Sequence, residues 1–483
     1  MNAWDVMVIG AGTAGMPLAI EAVARGANVL VVEQAARVGG TLHVSLGQMS
    51  GAGTRLQSDR GIVDSADDHL ADIARINRGT GRADLLARTV PRQGETIDWL
   101  MDNGFDMAPE CPAILHLHEA YRTARTYWGR EGGLSVLKAI TPLFEAAMAS
   151  PRAQLRLGTR AEALIKGAGG EVVGARLRNL ATGTTEEVRA NHVVLASGGY
   201  GASPSLFARF TGGHRLVTAA PETSTGTGLE MAEAIGGRLV GAHKFLPTYA
   251  AVAPPDGTAH VAWRQVPSLT PQVRLPYEVH LDRNGRRFVR EDHDSVDARE
   301  NALNALPDLS FWCVFDTRVE LSAPPLLPGW TARELAEAWR THPSFVAADG
   351  LEALATATGM AQGALTDSLA AYNSAIATGK PDPMGRTHRP LAIEGPSYRA
   401  ILMHGMVLKT PAGLDVDDDL VVRGEDGHPI KGLYAVGEAM GGAALSGKGF
   451  VSGMSVTPAL TLGRWLGGRL GEAARQRAQE VAQ

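Results

Sequence analysis

Short apolar runs alternate with an amphipathic stretch at the start of the chain. Residues 5–9 form an apolar run typical of a buried parallel strand, and residues 28–32 form a second one. Between them, residues 16–25 have the periodicity of a helix. A GxGxxG motif separates the first strand from the helix, so the sequence predicts a βαβ unit with a glycine-rich turn.

This turn has the features of a dinucleotide site. Gly10 allows a tight turn, Gly12 lets the backbone approach a pyrophosphate, and Gly15 allows the helix to pack closely on the strand. The amino terminus of the helix then faces the phosphates. Glu33 follows the second strand, where it can accept hydrogen bonds from a ribose. A turn used only for packing is the alternative, but the strands, helix and acid together favour a dinucleotide.

Further glycines distinguish FAD from NAD. The pair Gly39 and Gly40 comes soon after Glu33, and residues 47–54 form another glycine-rich stretch. An extended cofactor lying across the sheet needs closely approaching backbone beyond the first loop. An NAD domain would continue with its next strand, so the pattern predicts FAD.

The rest of the chain predicts a mixed α/β protein. The predicted elements are a mostly helical region over 58–143 with its clearest helix at 85–104, a β-meander over 153–188, a buried strand at 193–196, short strands near 278–281, helices at 331–340 and 366–377, a last sheet strand at 431–436 and a closing helix at 454–466.

Composition excludes several classes of protein. Lys and Arg number 46 against 51 Asp and Glu, a net charge of −5, and this balance argues against a nucleic-acid partner. Cys111 and Cys313 are too few for a disulfide framework, a CxxC redox centre or a cysteine zinc site. His116 and His118 lack a neighbouring carboxylate–histidine motif, so no metal is expected. With no leader pattern and no apolar run of about 20 residues, we expect a cytoplasmic protein without a membrane span.

Motifs spread over nearly the whole chain identify a family. They are GAGTAG at 10–15 with Glu33, residues 39–41 through 53–54, and the segments 193–200, 225–232, 285–288 and 432–438. In their order and spacing the sequence resembles the flavoprotein superfamily of fumarate reductase and succinate dehydrogenase, and within it the 3-ketosteroid dehydrogenase-like branch. The resemblance implies an α/β fold in which a capping α+β domain, residues 241–390, is inserted into a Rossmann-like FAD-binding domain made of residues 1–240 and 391–483.

The turn chemistry and the resemblance together give a set of predicted FAD contacts. In the family, backbone near Ala161 contacts adenine, the acid at Glu438 holds the ribityl chain, and backbone at Ser455 and Val456 faces the isoalloxazine. Some relatives attach FAD through a histidine where this chain has Thr41, so we expect non-covalent FAD. The full set is Gly10, Gly12, Thr13, Ala14, Gly15, Glu33, Gln34, Gly39, Gly40, Thr41, Ser45, Gly47, Ala161, Ala196, Ser197, Gly198, Gly228, Gly437, Glu438, Ser455 and Val456.

The substrate positions depart from the fumarate reductase pattern. Leu246 stands where those enzymes have a substrate histidine, Ser295 where they have the proton-donating arginine, and Lys409 near their second histidine. A dicarboxylate site needs paired cations, so these changes argue against one. Residues 447–460 are closer to ketosteroid dehydrogenases, although Phe450 replaces an attractive tyrosine and cannot transfer a proton.

Several other side chains are candidates for proton transfer or for polarising a carbonyl. Residues 116–129 concentrate aromatic, basic and imidazole groups, either as a wall of the substrate pocket or as a loop packed on the FAD domain. The candidate catalytic residues are Tyr121, Tyr127, His293, Arg299, His404 and Lys448, with Tyr249 as a further replacement; for each of them a structural role is the alternative.

The predicted function is FAD-dependent oxidation of a CH–CH group. The reaction is α,β-dehydrogenation, or the reverse reduction, of a C–C bond beside a carbonyl in a small cyclic ketone, steroid-like or carboxylate substrate. An external electron acceptor or donor is required, because the sequence has no haem or iron–sulfur ligands. The alternatives are a fumarate- or urocanate-type alkene reductase and an electron-transferring flavoprotein subunit.

Overall fold

The computed structural model describes residues 4–116 and 118–482. The strands are β1 Trp4–Ile9, β2 Val29–Val32, β3 Met49–Ser50, β4 Thr126–Tyr127, β5 Ala153–Arg156, β6 Thr159–Lys166, β7 Val172–Asn179, β8 Thr185–Leu195, β9 Leu239–Val240, β10 Thr248–Ala251, β11 Val279–Leu281, β12 Ser310–Asp316, β13 Phe345–Asp349, β14 Ser397–Met406, β15 Gly413–Leu414, β16 Val421–Arg423 and β17 Pro429–Ala435. The α-helices are α1 Gly15–Ala24, α2 Arg55–Asp59, α3 Ala66–Asn77, α4 Ala83–Thr89, α5 Gln93–Asp102, α6 Gly133–Met148, α7 Pro204–Thr211, α8 Thr227–Glu233, α9 Val296–Asn304, α10 Thr317–Ser322, α11 Ala332–Thr341, α12 Leu351–Thr358, α13 Gln362–Thr378, α14 Ala443–Ser446 and α15 Val456–Ala482.

The larger sheet has the strand order β16–β17–β8–β1–β2–β5. From β17 to β5 the strands run parallel, and Val8 of β1 pairs with Val31 of β2 and Val194 of β8. The hairpin of β6 and β7 joins this sheet through the first half of β8. Helices α1 and α15 pack against each other beside β1, and residues 6–9 of this strand are apolar and buried.

A second, antiparallel sheet has the order β10–β14–β12–β11, with β13 also paired to β14. The side chains of residues 249–403 on and around this sheet form one apolar core. The larger sheet has a separate core, drawn mainly from residues 6–232 and 407–474. The second core extends to residue 403, and the predicted division at 240/241 and 390/391 stays a prediction.

The closing helix predicted over 454–466 continues to residue 482 as α15, and two other predicted elements differ in organisation from those observed. The helix expected over 85–104 is two helices, α4 and α5, because Pro91 lies between them and cannot donate the intrahelical hydrogen bond. The meander expected over 153–188 begins only at β6. Its first strand, β5, follows the crossover helix α6 and pairs parallel with β2 in the larger sheet.

Across residues 4–116 and 118–482, no helix is both long enough and apolar enough to cross a membrane.

A buried ion-pair network fixes the segment before β4. Arg125 Nη2 lies 2.6 Å from Asp64 Oδ1 and its Nη1 lies 2.9 Å from Asp72 Oδ2, and all three side chains are at most 2% exposed. Asp72 is on α3, so the network attaches the segment to the helical region. Removing one partner of such a network leaves the opposite charges buried and unpaired.

Arg125→Met is therefore expected to lower the free energy of unfolding by about 3–5 kcal/mol. The matched control is Arg122→Met, whose side chain is 72% exposed beside the same Asp72, with an expected change within about 0.5 kcal/mol. Urea denaturation of both variants makes the comparison. Equal losses for the two arginines would contradict a stabilising role of the buried network.

Candidate active site

The parallel strands of the larger sheet end at one large cavity. The residues that follow β1, β2, β8 and β17 all line it, and its volume is about 630 Å³. Ligands of open α/β sheets bind outside the carboxyl ends of the strands, and small-molecule sites typically have volumes of about 300–1,000 Å³. The cavity continues between this sheet edge and β10 and α9, which belong to the second core or pack against it.

The glycine turn after β1 has an open face and a closed face. Gly10 has φ +105°, and a Cβ there would lie 2.5 Å from the Ala196 carbonyl oxygen. A Cβ on Gly15 would overlap the Gly10 carbonyl oxygen, so this glycine permits helix–strand packing. The nearest atom to a Cβ on Gly12 is Gly40 Cα at 3.9 Å, so Gly12 faces the cavity. A ligand can approach the backbone closely at Gly12.

Two carboxylates are held at the strand ends by backbone groups. Glu33 Oε2 accepts a hydrogen bond from the Ala11 N–H and Oε1 accepts one from the Ala35 N–H, both at 2.8 Å. At the end of β17, Glu438 Oε1 accepts from the Thr410 N–H at 2.7 Å and from its hydroxyl at 2.8 Å. Burial raises the pKa of Glu438, and the two donors of Thr410 oppose that rise. Both carboxyl groups are thereby fixed against the cavity.

Most of the predicted FAD contacts line this cavity. Those that do are Gly10, Gly12, Thr13, Ala14, Glu33, Gln34, Gly40, Thr41, Ser45, Ala161, Ala196, Ser197, Gly198, Gly228, Gly437, Glu438, Ser455 and Val456. Gly15, Gly39 and Gly47 lie outside the lining. An added Cβ at Gly39 would come within 2.9 Å of His43 and Leu137, and one at Gly47 would overlap the backbone of Gly132. These three glycines permit close packing within the protein.

The residues present fit an extended dinucleotide. The Ser197 hydroxyl is buried in the cavity wall, and no group within residues 4–116 and 118–482 hydrogen-bonds to it. A buried hydroxyl without a hydrogen-bond partner indicates a site where a polar ligand binds. The open face of Gly12 and the amino terminus of the long helix α15 both border the cavity, and helix amino termini favour negative charge.

A cationic and aromatic cluster closes the far end of the cavity. Lys409 Nζ lies 4.7 Å from the centre of the Phe450 ring and 3.4 Å from Ser446 Oγ. The imidazole of His118 stacks on the same ring, with centroids 3.9 Å apart. Burial lowers the pKa of Lys409, and the carboxyl groups of Glu438, Glu300 and Asp297 oppose that shift.

Two further lysines and one acid complete this end of the cavity. Lys448 is exposed at the rim, whereas the half-buried Lys244 donates from Nζ to the Thr80 carbonyl at 2.6 Å. Near Lys409, Glu300 on α9 is almost fully buried and lines the cavity wall. Tyr249 also lines this wall, but its hydroxyl lies 2.8 Å from His280 Nδ1.

Of the six predicted catalytic residues, Lys448 alone lines the cavity within the described residues. Tyr121 donates its hydroxyl hydrogen to the Ser452 carbonyl at 2.6 Å, and the Tyr127 hydroxyl lies 2.7 Å from Thr54 Oγ1. Burial raises the pKa of both tyrosines. Both phenols therefore face the packed interior.

The remaining three candidates also lie away from the lining. His293 Nδ1 accepts a hydrogen bond from the Ser295 N–H at 3.0 Å in the turn before α9. Arg299 donates from Nη1 to the Leu269 carbonyl at 2.6 Å and lies over the ring of Tyr249, which separates it from the cavity. His404 is buried in β14, and burial lowers its pKa to about 4.

Sequence reasoning missed the two groups that this end of the cavity brings together, His118 and Glu300. The sequence places His118 within a segment predicted as a wall of the substrate pocket, but does not single it out, and Glu300 follows the candidate Arg299. A one-residue step on a helix turns the side chain by about 100°. The start of α9, capped by Ser295, was the available signal, because it sets which of the two side chains faces inward.

The chain is similar to a flavoprotein family, to two alkene reductases and to a solved dehydrogenase structure. The family model described as "FAD binding domain" matches residues 5–449. A probable fumarate reductase of Shewanella frigidimarina is 26% identical over 96% of this chain and 74% of its own length. The urocanate reductase of Eggerthella lenta is also 26% identical, with the same coverage of both chains. The structure of a 3-ketosteroid delta1-dehydrogenase from Sterolibacterium denitrificans matches 98% of this chain and 100% of its own, with 21% identity and a TM-score of 0.76.

Proposed function

Because the chain belongs to the FAD binding domain family and is an FAD-dependent oxidoreductase acting on CH–CH groups, we propose that its substrate is a small anionic carbonyl compound. The reacting C–C bond is conjugated with a ketone or carboxylate, and the protein interconverts its saturated and unsaturated forms. The observation that carries the proposal is the Lys409 ammonium, held inside the cavity over the Phe450 ring.

Lys409 binds and polarises the carbonyl oxygen. When hydride is added to such a C=C bond, or a proton is removed from the α-carbon of its saturated form, negative charge develops on the conjugated oxygen. A preorganised cation in a cavity sheltered from water stabilises that charge more strongly than water does. The stack of His118 on Phe450 restricts the ring, and the ring in turn positions the ammonium.

Lys448 and Lys244 attract the anionic group of the substrate. Both line the same end of the cavity, and, after burial, repulsion from Lys448 contributes to the lowered pKa of Lys244. A bound carboxylate relieves this repulsion. The paired cations required for an anionic substrate are thus lysines in this chain, where the family pattern has arginine and histidine.

FAD, when bound, supplies hydride transfer to or from the carbon chain. The residues that would hold it non-covalently are the glycine turn at Gly12, the carboxylates of Glu33 and Glu438, the Ser197 hydroxyl and the start of α15. Thr41 carries no nucleophilic imidazole, and His43 Nε2 instead lies 2.9 Å from the Val38 carbonyl. A separate electron acceptor or donor completes the cycle.

Anaerobic spectrophotometry of the holoenzyme tests this proposal with matched probes. Dithionite-reduced enzyme is mixed with acrylate, fumarate or urocanate, and oxidised enzyme with cyclohexanone or 4-oxocyclohexanecarboxylate. We expect at least one charged probe to change the flavin absorbance, and 4-oxocyclohexanecarboxylate to bind more tightly than cyclohexanone. A response to cyclohexanone alone would contradict the anionic substrate, and no response to any probe would contradict the reaction itself.

A further inference from the structure

Three titratable side chains meet at the wall of the cavity beside Lys409. His118, Asp297 and Glu300 each bring a nitrogen or oxygen atom to within 4.8 Å of the other two. His118 Nδ1 lies 2.9 Å from Asp297 Oδ1. Asp297 and Glu300 are one turn apart on α9, while His118 comes from the segment before β4. The reaction proposed above gives none of these three groups a part in proton transfer.

Two of the three groups are partly exposed to water, and the third is buried. The side chains of His118 and Asp297 are 15% and 17% exposed, whereas Glu300 is 4% exposed. His118 and Glu300 both line the cavity. The outer pair can therefore exchange protons with water, and the inner acid faces the space that the substrate occupies.

Burial of Glu300 favours the neutral carboxylic acid over the carboxylate. Burial raises its pKa well above the usual range, and the nearby Asp297 carboxylate raises it further. Arg299, Lys409 and a backbone N–H of Tyr249 oppose the rise. A carboxylic acid kept neutral at pH 7 can give up its proton inside a sheltered cavity.

We propose that Glu300 is the catalytic acid that protonates the substrate's α-carbon, and that the His118–Asp297 pair returns a proton to it from water. In the reductive direction the Glu300 O–H bond breaks, the electron pair of the substrate's enolate forms a new C–H bond at the α-carbon, and a Glu300 carboxylate is left. One proton then passes from water through the outer pair to that carboxylate. In dehydrogenation each step runs in reverse. This inference rests on the function proposed above.

The test compares Glu300→Gln with the surface variant Glu95→Gln, whose side chain is 76% exposed on α5. Reduced holoenzyme is mixed with acrylate, fumarate and urocanate, and the fastest of the three is followed. We expect Glu300→Gln to slow flavin reoxidation about 10²–10⁴-fold, the usual contribution of a general acid, with reduction by dithionite unchanged. Glu95→Gln is expected to match the wild type. A rate within about threefold of wild type in Glu300→Gln would overturn the assignment.

Two further readouts separate proton transfer from a structural role. The wild-type reoxidation rate is expected to fall as pH rises through the pKa of Glu300, and the Glu300→Gln rate to stay flat. His118→Phe keeps the stack on Phe450 but removes the nitrogens, so it is expected to slow reoxidation less than Glu300→Gln does. A wild-type rate independent of pH up to the limit of folding would overturn the proposal.

An infrared measurement needs no substrate, and so distinguishes failure of this inference from failure of the proposed function. The difference spectrum of wild-type holoenzyme minus Glu300→Gln at pH 7 is expected to show the C=O stretch of a protonated carboxylic acid. If no alkene reoxidises the wild type, the proposed function fails and with it the substrate step, whatever this band shows. Absence of the band in an active enzyme would overturn the role of Glu300 alone. A stoichiometric divalent metal that Glu300→Gln removes would do the same.

Discussion

Lys409→Met is expected to lower kcat by about 10²–10³-fold, the usual effect of removing one group that stabilises developing negative charge on an oxygen. Methionine has a side chain of similar length and can still pack on Phe450, so the cavity keeps its shape. The loss falls on kcat because the charge on the oxygen develops only as the bond reacts. Steady-state kinetics with the fastest probe measures it, and the flavin spectrum shows that the cofactor is still bound.

Lys448→Met is the matched comparison. Lys448 lines the same end of the cavity but is exposed to water, where a single charge contributes little. We expect a rise in KM of less than about tenfold, with kcat nearly unchanged. Equal losses of kcat in the two lysine variants, or wild-type kcat in Lys409→Met, would contradict the role assigned to the half-buried Lys409 ammonium.

Gly12→Ala is expected to weaken FAD binding about 10- to 100-fold without loss of fold. The new methyl group has no protein atom nearer than 3.9 Å, so the protein accommodates it. The methyl group instead occupies space at the turn where the cofactor approaches, and forcing such a group into a filled site costs about 1–3 kcal/mol. Titration of apoprotein with FAD and thermal unfolding without FAD measure the two effects separately.

Gly15→Ala is the control with the opposite pattern. Its methyl group would overlap the Gly10 carbonyl oxygen and lie 3.3 Å from Val8 Cγ1, so it forces α1 away from β1. We expect this variant to lower the melting temperature of the apoprotein, which Gly12→Ala leaves near its wild-type value. Wild-type FAD affinity in Gly12→Ala would contradict the placement of the cofactor at this turn.

The sequence predicts the cofactor half of the cavity well, because its signals are local. Residues 4–33 contain a strand, a glycine turn, a helix, a second strand and a following acid. Because these elements are consecutive in the chain, a short sequence motif is enough to predict them. The same locality explains why Gly39 and Gly47, predicted as FAD contacts from their positions, lie outside the cavity lining. Gly39 and Gly47 pack on side chains and backbone from residues 132–137, which no nearby sequence pattern reveals.

The substrate end depends on contacts between distant segments. His118, Glu300 and Lys409 come from a loop, a helix and the residues after β14. Their meeting requires α9, which packs on β10 and β14 of the second sheet, to border the cavity. A single sequence carries no signal for such a contact. Phe450 shows the difference clearly. From the sequence, Phe450 only replaces a tyrosine that could transfer a proton. In the structure its ring packs against both the Lys409 ammonium and the His118 imidazole.

A single-turnover experiment tests the central claim most directly. Reduced holoenzyme is mixed under argon with a small excess of acrylate, fumarate or urocanate, and the products are identified by NMR while the flavin absorbance is recorded. The account predicts that, for at least one probe, one equivalent of saturated product forms for each flavin reoxidised, with the new hydrogens on the two former alkene carbons. Flavin that stays reduced with all three alkenes, and stays oxidised with 4-oxocyclohexanecarboxylate, would contradict the assignment of this cavity to C–C bond oxidation and reduction.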